Sequence, residues 1–139
     1  METLQWEKSL SIGVELIDQQ HQMLIQRLDD FATVTTARQG TTQVVKTLTF
    51  LIEYTEFHFD AEEKHMTQCG YPGLEEHRAM HQDLKTTLAG LTQDFHEEGA
   101  TQTLAEAIHK LMVNWLVKHI REVDVQFGTY LKDNGITLS

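Results

Sequence analysis

Two short stretches of this 139-residue chain carry the residue types from which metal sites are built. One is His58-Phe59-Asp60-Ala61-Glu62 and the other His77-Arg78-Ala79-Met80-His81. Each places two potential ligands four apart. On a helix such residues share a face, one turn above the other, so each pair can reach a single point in space. Between them Gly70-Tyr71-Pro72-Gly73 reads as a hinge that folds one helix back on the other. Folded this way, the two pairs face each other.

The elements that must hold these pairs are legible as helical stripes. Ile17, His21, Leu24, Leu28 and Phe31 recur at intervals of four and three, with Asp18 as the expected N-cap. Arg38-Gln39-Gly40 reads as the stop, Gly40 supplying the left-handed residue. The first sixteen or so residues lack a period and are expected to form an extended arm, with Trp6 packed on the body. Thr41 or Thr42 should cap a second helix. Val44 and Val45 lead into its stripe of Leu48, Leu51, Thr55, His58 and Glu62, and Gly70 and Pro72 end it. A third helix is predicted from Gly73 or Leu74, carrying His77, His81, Leu84, Leu88, Leu91 and Phe95, and closing at Gly99. The fourth starts at Thr101 or Thr103, where Thr103 and Glu106 could form a capping box. Its stripe is Leu104, Ile108, Leu111, Trp115 and His119. A last helical piece covers about 123–132 and ends at Asn134-Gly135. The expected fold is all-α: an antiparallel up-down-up-down four-helix bundle with an N-terminal extended arm and a short C-terminal helix, residues 1–139 forming one domain.

The residues that interrupt the stripes carry the functional information. Of eight histidines, five (His21, His58, His77, His81 and His119) face the expected core, and Glu62 joins them. A buried unpaired carboxylate is costly. One core histidine is ordinarily just hydrogen-bonded, but five on four helices cannot easily satisfy one another. A cation takes up every free nitrogen lone pair and compensates the carboxylate. Up-down topology also puts these residues at one end of the bundle, which is independent of their spacing.

Five nitrogens with carboxylate and no thiolate suit Fe, Zn, Cu or Mn rather than Ca or Mg. Six protein ligands exceed the need of one tetrahedral zinc. Two metals roughly 3.5–4 Å apart, bridged by carboxylate, use them economically. Asp124 offers a second carboxylate, five residues after His119. On an ideal α-helix that spacing is about 140° off-face. From spacing alone Asp124 reads equally as a surface salt-bridge partner or as a ligand on a helix distorted by a π-type turn or break between 120 and 123.

Composition bounds the rest. Hydrophobic content of 40% and charged content of 23% are ordinary for a globular chain. The net charge of −10 argues against nucleic acid and anionic membrane surfaces as partners. No apolar run approaches a membrane span, and residues 1–6 lack the character of a signal peptide. Cys69 stands alone and is expected to pack rather than react. A cytoplasmic protein is the expectation. His96 and His109 fall off the stripes and are expected to be solvated, as are the charge runs Glu97-Glu98 and Asp60 to Lys64; His65 is expected at the surface or behind the ligands.

Together His21, His58-x-x-x-Glu62, His77-x-x-x-His81 and His119-x-x-x-x-Asp124 resemble the hemerythrin family, specifically the bacterial single-domain bacteriohemerythrins. Trp6, Gly13, Ile17-Asp18-x-Gln20-His21, His58-Phe59 and Trp115-Leu116-Val117-x-His119-Ile120 extend the likeness over almost the whole chain. The resemblance implies a non-haem di-iron centre that binds O2 reversibly. It implies that one iron takes His77, His81 and His119 and the other His21 and His58. Glu62 and Asp124 would bridge, with an oxo or hydroxo group from solvent, and O2 would enter at the two-histidine iron. Leu24, Phe59, Trp115, Leu116 and Ile120 match the family's pocket positions; ordinary bundle core is the compatible plain reading. The implied role is oxygen storage, delivery or buffering rather than catalysis, by a monomer that could serve an oxygen-consuming acceptor protein. Competing readings are an O2, redox or iron sensor acting through a separate partner, an enzyme consuming peroxide or nitric oxide, and a zinc or iron store.

Overall fold

The computed structural model describes residues 4–38 and 40–138; residues 1–3, where the arm was expected to begin, Gln39 of the expected stop, and Ser139 lie outside the described residues. Four long helices build the fold: α1 (Glu15–Thr36), α2 (Thr41–Cys69), α3 (Leu74–Glu98) and α4 (Gln102–His119). A five-residue π-turn, Ile120–Asp124, joins α4 to α5 (Val125–Asp133). No strand occurs among the described residues. The pairs α1–α2, α2–α3, α3–α4 and α1–α4 pack together, closing a ring of four neighbours. Short connections between consecutive helices make each run antiparallel to the last. No described helix is long and apolar enough to cross a membrane.

The stripes of α1, α2 and α3 bury almost as read. Ile17, Leu24, Leu28 and Phe31 of α1 meet Leu48 and Leu51 of α2 and Leu84, Leu88 and Phe95 of α3 in one core, with Leu91 half-buried. On α4 the inward face is rotated from the expectation. Ala105, Ile108, Met112, Leu116 and His119 are buried, while Leu104, Leu111 and Trp115 are half-buried. Both sets have helical spacing and share Ile108 and His119, so periodicity could not choose between them. The same rotation buries His109, which was expected in solvent, to 3% exposure. His96 is exposed and His65 half-buried. Cys69 packs half-buried against the core.

The helix ends correct several expectations. α1 begins a turn before Asp18, after Val14 in extended conformation. Asp18 does not cap its own helix; its carboxylate accepts the Ile12 backbone N–H at 2.9 Å and the Ser11 hydroxyl. It thereby clasps the arm, which is not simply extended: Lys8–Leu10 forms a 3-10 turn, and Leu10 and Ile12 are buried. Trp6 packs half-buried on the core. The left-handed residue after α1 is Arg38, at φ 54°, rather than Gly40, whose φ is −55°. Gly40 is the N-cap of α2, and neither threonine caps it. Thr101 caps α4 by accepting the Leu104 N–H at 3.2 Å, so no capping box forms at Thr103. Gly70 ends α2 in the left-handed region, at φ 66°.

Two contacts anchor the end of the bundle that carries the histidine pairs. The Tyr130 hydroxyl of α5 donates to the Cys69 carbonyl at 3.0 Å, tying α5 to the end of α2. Gly128 of α5 lies against the arm so closely that a Cβ there would sit 2.3 Å from the Ile12 carbonyl oxygen.

Candidate metal centre

His21 lies in the second turn of α1, and His58 and Glu62 lie in the C-terminal half of α2. His77 and His81 sit in the first two turns of α3, and His119 is the last residue of α4. Antiparallel packing brings all of these to one end. Asp124 joins them because the chain after His119 leaves α-helical geometry. The Val125 N–H bonds back to the Ile120 carbonyl, five residues earlier, which is the π pattern. That wider turn brings residues five apart onto one face. All seven side chains are buried, none more than 4% exposed.

The side chains form two groups that share both carboxylates. One contains His77, His81, His119, Glu62 and Asp124; the other contains His21, His58, Glu62 and Asp124. Each carboxylate divides its oxygens between them. Asp124 Oδ1 is 2.9 Å from His77 Nε2 and 3.1 Å from His119 Nε2, while Oδ2 is 3.0 Å from His21 Nε2. Glu62 Oε1 contacts His77 Nε2 and lies 3.4 Å from His81 Nε2, and Oε2 is 3.3 Å from His58 Nε2.

These contacts are not those of a satisfied hydrogen-bond network. His119 Nε2 lies 3.1 Å from His77 Nε2 and 3.2 Å from His81 Nε2. A nitrogen pair can share only one proton, so the lone pairs of three imidazoles converge. Several close approaches are also misaligned: both ring nitrogens of His21, Glu62 Oε2 and both Asp124 oxygens are buried without a hydrogen-bond partner. Two donor atoms roughly 2.1 Å from one cation and at right angles around it lie about 3.0 Å apart. The observed spacings are those of donors arranged around metal ions.

Electrostatics point the same way. Burial disfavours charge on His77 and His21, but Asp124 and Glu62 outweigh it; His77 is raised to about 9 and His21 also rises. For His119 burial prevails and its pKa falls. Burial would raise both carboxyls, yet the surrounding imidazoles hold Glu62 and Asp124 well below the usual carboxylate range. Two anions are thus kept charged in a dry interior. Without metal, only imidazolium can balance them; a pair of divalent cations does so without protonating the ligands.

Partners on the outer ring nitrogens, which sequence reasoning passed over, orient two imidazoles. His58 Nδ1 donates to Gln20 Oε1 at 2.8 Å, and His81 Nδ1 to Glu63 Oε2 at 2.9 Å. Gln20 belongs to the Ile17-Asp18-x-Gln20-His21 stretch, where a neutral amide by its residue type alone signals no such role. Glu63 sat inside a charge run, and only the packing of α2 on α3 sets it against His81. Aromatic faces complete the wall. Phe59 stacks on His81 at 3.8 Å and 6°, and Trp115 on His119 at 4.2 Å and 15°. These two rings therefore lie against the three-histidine group, with His58 farther from Phe59 at 6.0 Å. Leu24, Phe59, Leu116 and Ile120 are buried and Trp115 is half-buried.

A bundle end built from five imidazoles and two shared carboxylates defines a dinuclear metal protein of the all-helical class. Residues 12–131 match the family model described as the hemerythrin HHE cation binding domain. The chain belongs to the hemerythrin family. It is 29% identical to a bacteriohemerythrin of Stenotrophomonas maltophilia over 132 residues, covering 95% of this chain and 84% of that protein. A bacteriohemerythrin of Methylococcus capsulatus is 31% identical over 122 residues, with 86% and 88% covered. A myohemerythrin of Theromyzon tessulatum is 27% identical over 126 residues, with 91% and 92% covered. The fold superposes on a wild-type hemerythrin crystal structure with a TM-score of 0.82 at 27% identity, covering 92% of this chain and 97% of that one. The cofactor of this domain is a di-iron centre, and the buried cluster fits its ligand set. Family and cluster together fit an O2-binding domain.

Proposed function

We propose that this protein binds O2 reversibly at its di-iron centre and serves oxygen storage, delivery or buffering. His77, His81 and His119 would hold one iron and His21 and His58 the other, with Glu62 and Asp124 available to both. The observation that carries this reading is the unequal division of imidazoles around two shared carboxylates, three against two. It leaves one metal position a protein ligand short, and that is where a small molecule enters. Bound iron supplies the redox chemistry of O2 binding.

The chain's own groups favour carriage over catalysis. Five of seven ligands are neutral imidazoles, which favour the ferrous pair and the return of O2. Leu24, Phe59, Trp115, Leu116 and Ile120, which we assign to the O2 pocket, bear no titratable group, and Phe59 and Trp115 would form its wall on the side of the three-histidine group. They exclude water and offer no proton to drive oxygen onward to reduction. In this reading residues 1–139 act as one domain. The protein works as a cytoplasmic monomer, not an enzyme, and can pass O2 to an oxygen-consuming acceptor protein.

Metal analysis combined with absorption spectroscopy tests this. Two irons per chain are expected, with a visible charge-transfer band that appears in air and disappears under vacuum over repeated cycles. A band that decays once without recovery, or one zinc per chain, overturns the carrier reading. Turnover of peroxide or nitric oxide by the reduced protein would place it among enzymes.

A further inference from the structure

We propose that Glu63 is a positioning and charge-tuning residue for the three-histidine half of the centre, acting through His81 and moderated by Arg78. The inference rests on the di-iron reading above. Glu63 divides its two oxygens. Oε2 accepts from His81 Nδ1 at 2.9 Å, and Oε1 accepts from Arg78 Nε at 3.2 Å. Arg78 in turn donates through Nη1 to Glu75 at 2.9 Å. The Glu63 side chain is only 16% exposed, so solvent screens its charge incompletely, whereas Arg78 is 47% exposed.

With Nε2 aimed into the cluster, the His81 proton sits on Nδ1 and points at Glu63. A carboxylate accepting that proton draws it outward and makes Nε2 a more electron-rich donor. Phe59 lies flat on one face of the same ring at 3.8 Å, so His81 is held by its face and by its edge. The two-histidine half has a different outer partner. His58 Nδ1 donates to Gln20, a neutral amide, at 2.8 Å. The two halves thus differ in the charge behind their imidazoles as well as in number. The more electron-rich side stabilises the higher-charged metal. Arg78 draws part of the Glu63 charge away from His81 and works against that bias.

This arrangement yields opposite effects from two neighbouring substitutions. Glu63→Gln keeps an acceptor oxygen but removes the charge, and is expected to raise the reduction potential of the iron pair. Arg78→Ala leaves the whole Glu63 charge on His81 and is expected to lower it. Glu63→Ala removes the hydrogen bond itself, and is expected to weaken zinc binding to the metal-free protein by roughly 10–100-fold, with Glu63→Gln recovering most of that loss. Spectroelectrochemical titration of the iron-loaded proteins reads the first pair, and competition with a chelator reads the zinc series. Potentials that move in the same direction, or not at all, overturn the proposal, because a merely structural ion pair would behave that way. Unchanged zinc affinity in Glu63→Ala also overturns it. If the wild-type protein takes up zinc but no iron pair, the di-iron reading fails, while the zinc series still decides the role of Glu63.

Discussion

Glu62→Ala is the most searching perturbation of this centre. Glu62 is 1% exposed and presents Oε1 to His77 and His81 and Oε2 to His58. One substitution therefore removes a carboxylate from both donor groups. Loss of even an outer partner of a ligand typically costs 10–100-fold in metal affinity, and loss of a bridging ligand should exceed this at each site. Metal held at about 100 times its dissociation constant stabilises a fold by about 2.7 kcal/mol per site, or about 5 kcal/mol for two independent sites. For a chain of this size that corresponds to a shift of roughly 15 °C in melting temperature. The assay is thermal unfolding with and without metal, beside metal content after gel filtration. Wild-type protein should show the metal-dependent shift and two metals, and Glu62→Ala should lose most of both. Retention of two irons with an undiminished shift would refute a shared bridge. Clean loss of one metal with full retention of the other would also refute it, by assigning Glu62 to one site.

Three further outcomes follow from the geometry. Gly128→Ala drives a methyl group to within 2.3 Å of the Ile12 carbonyl oxygen, so the arm or α5 must shift; about 1–3 kcal/mol should be lost in urea unfolding, and an unchanged midpoint contradicts this close approach. Asp18→Ala removes the clasp on Ser11 and Ile12; the cost should be about 1–2 kcal/mol, with faster hydrogen exchange at the Ile12 amide as its local signature. In metal-free protein, His77 is raised from 6.5 to about 9, so its stabilising contribution is complete below pH 6.5 and fades as pH rises through 9. Glu62 and Asp124 are depressed and contribute the opposite limb, lost as pH falls through the carboxylate range. Denaturation midpoints of chelator-treated protein should therefore decline from pH 6.5 to 9 and again in acid; a rise across the alkaline window contradicts the assignment.

The all-helical architecture and six of the seven residues of the buried cluster were readable from the chain because both are periodic. His58 and Glu62, like His77 and His81, declare a shared helical face by their interval of four, and the apolar residues in register with them declare that the face is buried. Where two periodic solutions coexist, as on α4, the pattern is silent; Leu104, Leu111 and Trp115, expected to face the core, pack only half-buried against it, and His109, expected at the surface, is buried. Caps were least legible. Asp18 has the right chemistry for an N-cap, but it accepts from the arm, because α1 starts earlier than its own apolar stripe.

Sequence alone determined which residues could bind metal, that they share one end of a bundle, and that the bundle has four helices. These follow from local backbone geometry and from the cost of burying unpaired polar groups, both written in residue order. Only the tertiary structure decided three further matters. The π-turn at Ile120–Asp124 turns Asp124 inward and supplies the second shared carboxylate, which an interval of five could not establish. The oxygens of Glu62 and Asp124 are divided between two imidazole groups. Glu63 and Gln20 stand behind two of the cluster's imidazoles. Each of these depends on atoms brought together from different elements, to within a hydrogen bond's length, by packing. The order of residues along the chain does not encode those distances until the helices have closed on their core.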